Sequence, residues 1–185
     1  TDYPLKSYKD AIKECDIAIL CNINFNRRFL DIARKNGKII ATDVHTIKEI
    51  DDSYNSDFMK SATILFQSDE NLPCSPEEWA KIVIDRYGTE IVVVGLGKNG
   101  VLLSVKKDNC TKRYKAVYTR PVVNTIGAGD ALFGSFVHFY NKTSDPYYSI
   151  EKAKIFASYK IGENGAANGF LTEEKLDEIS YSEID

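Results

Sequence analysis

Seven consecutive residues, Asn124-Thr125-Ile126-Gly127-Ala128-Gly129-Asp130, bring together the types that chemistry on an anion needs. Gly127 and Gly129 lack a Cβ, so their backbone can take dihedrals closed to other residues and bring N–H groups close to an oxyanion. Asp130 follows at the entrance of an apolar, helix-like segment, Ala131-Leu132-Phe133-Gly134-Ser135-Phe136-Val137. A carboxylate there has two possible tasks. It can stabilise the positive end of a helix dipole, or take a proton from a nucleophile aimed at a phosphate held by the same N–H groups. An ordinary glycine turn with an acidic helix cap is the plain alternative, because caps are rich in Asp.

The order Thr-x-Gly-Ala-Gly-Asp, continued by Ala-Leu-Phe-Gly-Ser-Phe, resembles the C-terminal signature of the ribokinase-like (PfkB-type) carbohydrate kinases. The resemblance implies ATP-dependent phosphoryl transfer to a hydroxyl of a sugar or sugar-like small molecule. It makes Asp130 the base and has Gly127, Ala128 and Gly129 line an anion hole under the transferring group. It also implies nucleotide contacts at Gly95, Gly97, Gly100, Thr125 and Lys154, with Mg2+ steered through water by Glu70 and, more weakly, Gln67. Many members hold K+ beside the hole through an acid six residues before the base. That position is Asn124, a neutral ligand, and K+ is left out of the expected metals.

These residues need a scaffold that delivers them to one edge. Asp16-Ile17-Ala18-Ile19-Leu20-Cys21 has the length and apolarity of a buried parallel strand, after a short polar helix from Asp10 to Glu14. Phe29 to Lys35 has helical spacing with basic residues in its last turn and Gly37 as a cap candidate, and Lys38 to Thr42 is the next strand. Asp43 and His45 then fall at a strand's carboxyl end, where open α/β sheets place ligands, although a turn cap and a solvated histidine are the simpler readings. Thr63 to Phe66 is a third strand running into Gln67-Ser68-Asp69-Glu70. A carboxylate at that end suits hydrated Mg2+, which takes few protein ligands. Ser75-Pro76-Glu77-Glu78 starts a helix that carries Trp79 as a core residue and stops at Gly88.

Ile91-Val92-Val93-Val94 is the clearest strand, and it enters Gly95-Leu96-Gly97-Lys98-Asn99-Gly100. The Gly-x-Gly-x-x-Gly spacing matches a dinucleotide fingerprint only in form. That motif must open a helix and be followed about 20 residues later by an acid. Here Val101 to Val105 reads as a second strand, so Lys98-Asn99-Gly100 is a hairpin turn. Lys106 to Lys115 is polar and turn-like, Tyr114 to Tyr118 resembles an edge strand, Asn141 to Tyr148 a turn-rich connection, and Ile150 to Ile161 a second helix with Ala153 and Ala157 on one face. Gly134 is expected to admit a close helix neighbour. Thr172-Glu173-Glu174 caps a final helix.

The alternation of strands and helices predicts a doubly wound, mostly parallel α/β sheet, and 185 residues suffice for a single domain spanning 1–185. A net charge of -3 argues against a general nucleic-acid or anionic-membrane surface. Cys15, Cys21, Cys74 and Cys110 form no Cys-x-x-Cys pair, so reduced thiols and a cytoplasmic home are expected. The resemblance covers about Asp16 to Phe170 and corresponds to the C-terminal half to two-thirds of such a kinase. The first strands, the Gly-Gly sugar motif and the small β lid that often mediates dimerisation have no counterpart, so a fragment lacking much of the sugar site is expected. A non-catalytic nucleotide-binding derivative, an interaction-only scaffold, and a nucleoside or vitamin kinase of the same fold are the alternatives.

Overall fold

The computed structural model describes residues 5–182. The chain packs as two compact units. One takes the residues up to Val94 with Leu102–Lys112, and the other takes Gly95–Val101 with the residues from Arg113 onward.

Apart from the strand-end residues Gly95, Val101, Arg113 and Tyr114, which fall in the second unit, the first unit is built from α1 (Leu5–Glu14), β1 (Ile17–Ile19), α2 (Arg27–Lys35), β2 (Ile39–Asp43), α3 (Ser56–Ser61), β3 (Ile64–Ser68), α4 (Pro76–Tyr87), β4 (Ile91–Gly95), β5 (Val101–Val105) and β6 (Cys110–Tyr114). The strands form one sheet in the order β1-β2-β3-β4-β5-β6. β1 pairs parallel with β2 (Ile17 opposite Ile39) and β2 with β3 (Ala41 opposite Ile64). Near-continuous apolar strands mark a sheet covered on both faces, and Ile40, Ala41, Ile64, Leu65 and Val92–Val94 are all buried.

Helix α4 shows why the capping signals were readable. Ser75 Oγ accepts from Glu78 N at 3.3 Å, Pro76 takes the first helical position, and Gly88 ends the helix in the left-handed region. Trp79 and Val83 are then carried into the core. Helix α3 was not anticipated. It is only six residues long and buries Phe58 and Met59.

Two expectations about element boundaries are corrected. The edge strand is β6 at Cys110–Tyr114, not Tyr114 to Tyr118. Asn109 takes a left-handed conformation and donates N–H to Lys106 O at 3.0 Å, so the turn closes early and β6 starts at once. Ser104 and Thr111 hydroxyls meet across the β5–β6 pair at 2.7 Å.

The second correction lies in the other unit. Helices α5 (Ala128–Thr143) and α6 (Pro146–Lys160) leave only Ser144 and Asp145 as the connection, instead of a loop from Asn141 to Tyr148. Asp145 Oδ1 accepts from Tyr147 N at 2.8 Å and Tyr148 N at 3.1 Å, with Pro146 at the first helical position. An Asp-Pro pair is a helix start of the same grammar as Ser75-Pro76.

Helix α7 (Glu173–Ser182) completes this unit. Phe139, Ile155 and Leu176 form a buried cluster with Val117, Phe156, Leu171 and Ile179 against it. Gly134 does not admit a neighbouring helix as expected. It lies on the exposed side of α5 with no atom within 4 Å of where a Cβ would be, while Phe133, Phe136 and Val137 form the packed face. Among the described residues no helix is long and apolar enough to cross a membrane.

Candidate active site

The signature loop folds into a tight turn that starts α5. Gly127 occupies the N-cap position with φ 79°, ψ 8°, a left-handed conformation that disfavours a side chain. Space is tight there as well, since a Cβ on Gly127 would lie 3.1 Å from Ala166 O and 3.2 Å from Ala166 Cα, so the Ala166 backbone would have to give by a few tenths of an ångström. Ala128 N donates to Thr125 O at 3.1 Å and Ala131 N to Gly127 O at 2.9 Å. Between them the Gly129 and Asp130 N–H groups fall in the first turn of the helix, whose donors have no intrahelical acceptor. Gly129 and Asp130 are exposed, and the Asp130 carboxylate has neither hydrogen-bond nor ion-pair partner among the described residues. The result is a helix N-terminus with open donors and an unengaged carboxylate beside them.

The last turn of α6 holds the segment leading into that loop. Ser158 Oγ accepts from Thr119 N at 2.8 Å, and Tyr159 O accepts from Arg120 Nε at 2.8 Å. The Arg120 guanidinium lies 3.6 Å from the centre of the Tyr159 ring and pairs with Glu163 at 3.0 Å. Ile161 O receives Val123 N at 2.8 Å and Asn124 N at 3.0 Å. Lys160, 1% exposed, donates from Nζ to Ile126 O at 3.2 Å and Gly165 O at 2.7 Å. Asn124 Oδ1 accepts from Ile126 N at 2.8 Å, closing a turn within the loop. Thr125 is exposed at its crest.

The β4–β5 hairpin turn belongs to the same unit. Leu96 N donates to Gly100 O at 2.9 Å, and Gly97–Asn99 make a single 3-10 turn. The glycine spacing therefore makes a turn between strands and opens no helix, as expected. Gly100, at φ 99°, packs so closely that a Cβ would fall 2.0 Å from Tyr114 O. Lys154 on α6 stands over the Tyr114 ring at 5.2 Å and pairs with Glu151 at 2.6 Å. Helix α6 thus backs both sequence-predicted nucleotide regions, through Tyr114 at the hairpin and through Lys160 at the loop.

In the first unit, Glu70 is exposed beyond β3, and its carboxylate has no partner among the described residues. This suits an ion that keeps its water shell. Gln67 lies within β3, 4% exposed, and neither amide atom has a hydrogen-bond partner. Among the described residues no three His, Cys, Asp or Glu side chains gather as a metal cage. Asp43 Oδ1 accepts from His45 N at 2.8 Å, the turn-capping role, and His45 is exposed.

A cavity of about 550 Å³ opens beside the signature loop, with Gly127, Asp130, Ala131, His138, Lys160 and Phe170 on its walls. At its rim Glu173 meets Lys142 Nζ at 2.5 Å and His138 Nε2 at 2.6 Å. The hydrogen bond from Lys142, then that from His138, holds the Glu173 carboxyl below its ordinary range, and the same pairing raises the Lys142 ammonium.

The profile of the pfkB family carbohydrate kinases matches residues 31–173. The chain belongs to that family. It is 28% identical to the ribokinase of Dictyostelium discoideum over 177 residues, which is 95% of this chain and 54% of that protein. It is 22% identical to the deoxyribokinase of Salmonella typhi over 179 residues, 91% of this chain and 57% of that protein. The fold superposes on a microbiome-derived acarbose kinase with a TM-score of 0.88 at 23% identity, covering 98% of this chain and 61% of that one. It superposes on a putative ribokinase II from E. coli, solved with ATP and Mg2+, with a TM-score of 0.80 at 17% identity, covering 94% and 61%. The chain spans little more than half the length of the curated relatives it matches.

As a pfkB family chain it carries a supporting residue that sequence reasoning passed over, Lys160. The signal was present in the helical register. Lys160 lies seven residues after Ala153 and three after Ala157, on the small-residue face already assigned to the packed side of α6. A lysine on a buried face is rare unless it is paired.

Proposed function

We propose that this chain supplies the catalytic base and nucleotide half of an ATP-dependent kinase acting on a hydroxyl of a sugar or sugar-like small molecule. The observation that carries this reading is the unengaged Asp130 carboxylate beside the open N–H groups of the α5 N-terminus. Asp130 takes the proton from the acceptor hydroxyl while the new O–P bond forms and the bond between the γ-phosphorus and the β,γ-bridging oxygen breaks, leaving ADP. The Gly127 to Gly129 turn and the Asp130 amide stabilise charge on the equatorial oxygens. Phosphoryl transfer depends mainly on such positioning and electrostatics.

The hairpin turn at Gly97, with Gly95 and Gly100 on either side, is the contact for ATP phosphates and ribose, and Thr125 and Lys154 complete the nucleotide side. The exposed Glu70 is the residue that would hold hydrated Mg2+ through water, and the ion would supply charge neutralisation on the phosphates. Cys15, Cys21, Cys74 and Cys110 form no disulfide among the described residues, which suits a reducing, cytoplasmic setting.

The test pairs binding with turnover. Calorimetry with Mg-ATP should show saturable binding that is lost in Gly97→Val and kept in Asp130→Asn. In the full-length protein Asp130→Asn should lower turnover about 10²- to 10⁴-fold, the range for a positioned base. Because Asp130 is exposed and unpartnered, its stability should change by no more than about 0.5 kcal/mol. Binding without turnover in any sugar or nucleoside would favour the non-catalytic reading, and parental turnover in Asp130→Asn would remove the base assignment.

A further inference from the structure

The least expected charge in the second unit is the ammonium of Lys160. It is 1% exposed, and it donates to two backbone carbonyls, Ile126 O at 3.2 Å and Gly165 O at 2.7 Å. No carboxylate pairs with it among the described residues. The acid nearest in sequence, Glu163, is engaged by Arg120. The residue that opens the loop, Asn124, is neutral, and its Oδ1 is occupied by Ile126 N. Burying an ion without a counter-ion is costly unless its surroundings solvate it. Two carbonyls from separate chain segments are the kind of oxygen ligation a monovalent cation takes. The positive charge is not cancelled, so it adds to the field at the α5 N-terminus, where an anion is expected.

We propose that Lys160 is a positioning residue that acts as a tethered monovalent cation. Its ammonium clamps the signature loop, through Ile126 O, to the segment after α6, through Gly165 O. Its covalent attachment makes this chain indifferent to exchangeable K+ or ammonium at that point. Two neighbouring contacts show how tight the clamped region is. A Cβ on Gly127 would crowd Ala166, one residue beyond Gly165, at 3.1 Å, and Val123 and Asn124 hang from Ile161 O, one residue beyond Lys160. Removing the ammonium leaves two carbonyl oxygens facing a space of cation size. The proposal rests on the kinase reading for its effect on ATP, but not for its effect on cation dependence.

The test compares the parent with Lys160→Ala in potassium, ammonium and choline chlorides at matched ionic strength, using thermal denaturation and Mg-ATP calorimetry. The parent should melt at the same temperature in all three salts. Lys160→Ala should melt lower in choline chloride and regain part of the loss in potassium or ammonium chloride. Should it fail to fold in choline chloride, it should fold in one of the other two. If the parent binds Mg-ATP, Lys160→Ala in choline should bind about thirtyfold more weakly, as expected for cutting a buried charged contact, with recovery in K+. Specific stabilisation of the parent by K+ overturns the proposal. So does a variant that responds to neither cation, or one that folds in none of the salts. A parent that binds no Mg-ATP counts against the kinase reading alone, and the melting comparison still decides the role of Lys160.

Discussion

Gly100 and Gly97 sit three residues apart in one hairpin, and the structure gives them opposite tolerance to a side chain. At Gly97, φ is 54° and nothing lies within 4 Å of where a methyl group would stand, so Gly97→Ala carries only the left-handed backbone cost, about 1–2 kcal/mol. At Gly100, φ 99° and ψ −128° fall where a side chain is strained by about 1–3 kcal/mol. The new Cβ would also lie 2.0 Å from Tyr114 O, 2.6 Å from Ala116 N and 2.7 Å from Lys115 C. All three are backbone atoms, so relief requires moving the chain after β6, and overpacking of this kind costs about 1–3 kcal/mol more. Gly100→Ala should therefore destabilise by about 4 kcal/mol, a fall in melting temperature of roughly 8–16 °C for a chain of this size. Urea denaturation of both variants, followed by circular dichroism, measures the difference. Equal midpoints for Gly97→Ala and Gly100→Ala, or a Gly100→Ala variant as stable as the parent, would refute the steric argument.

Two further predictions concern helix ends. Asp145→Ala removes the side chain that caps α6, so it should cost about 1 kcal/mol, with Asp145→Ser or Asp145→Asn close to the parent in the same denaturation assay. Glu173 titrates below its ordinary value because of Lys142 and His138, so its contribution is present above the unfolded pKa and lost as pH falls through the folded one. The melting-temperature gap between the parent and Glu173→Gln should accordingly be widest near neutrality and close in acid. A gap that widens in acid would reverse the sign of that assignment.

The parts of this fold legible in the sequence were those with a local code. The β4 run of four branched residues, the Ser75-Pro76 start of α4 and its Gly88 stop are each decided by neighbouring residues, and each appears within a residue or two of expectation. The hairpin at Lys98-Asn99-Gly100 was legible because a strand on either side excludes a helix opener. Other boundaries depended on choices between competing signals. Asp145-Pro146 was a readable helix start hidden by the polar residues before it, and Asn109 closed the β5–β6 turn earlier than the polar run suggested. The site divided in the same way. Gly127, Gly129 and Asp130 announce themselves by spacing, and the structure puts them at one helix N-terminus. The clasp of α6 on that loop involves pairs such as Thr119 with Ser158 and Ile126 with Lys160, more than 30 residues apart. No local pattern encodes such pairs, and only the register of α6 hinted that Lys160 faces inward.

The division of the backbone into two units has a topological consequence. The chain crosses from one unit to the other at 94/95, again at 101/102 and a third time at 112/113. The units are therefore interlaced, and no single backbone cut separates them. A chain begun at Arg113 would retain Asp130 and the clasp of α6 but would have no Gly97 or Gly100, because the hairpin turn is lent to the second unit by strands anchored in the first. On the proposed reading, in which the Gly97 turn contacts ATP, nucleotide binding should be a late event in folding, gained only after β4 and β5 have paired.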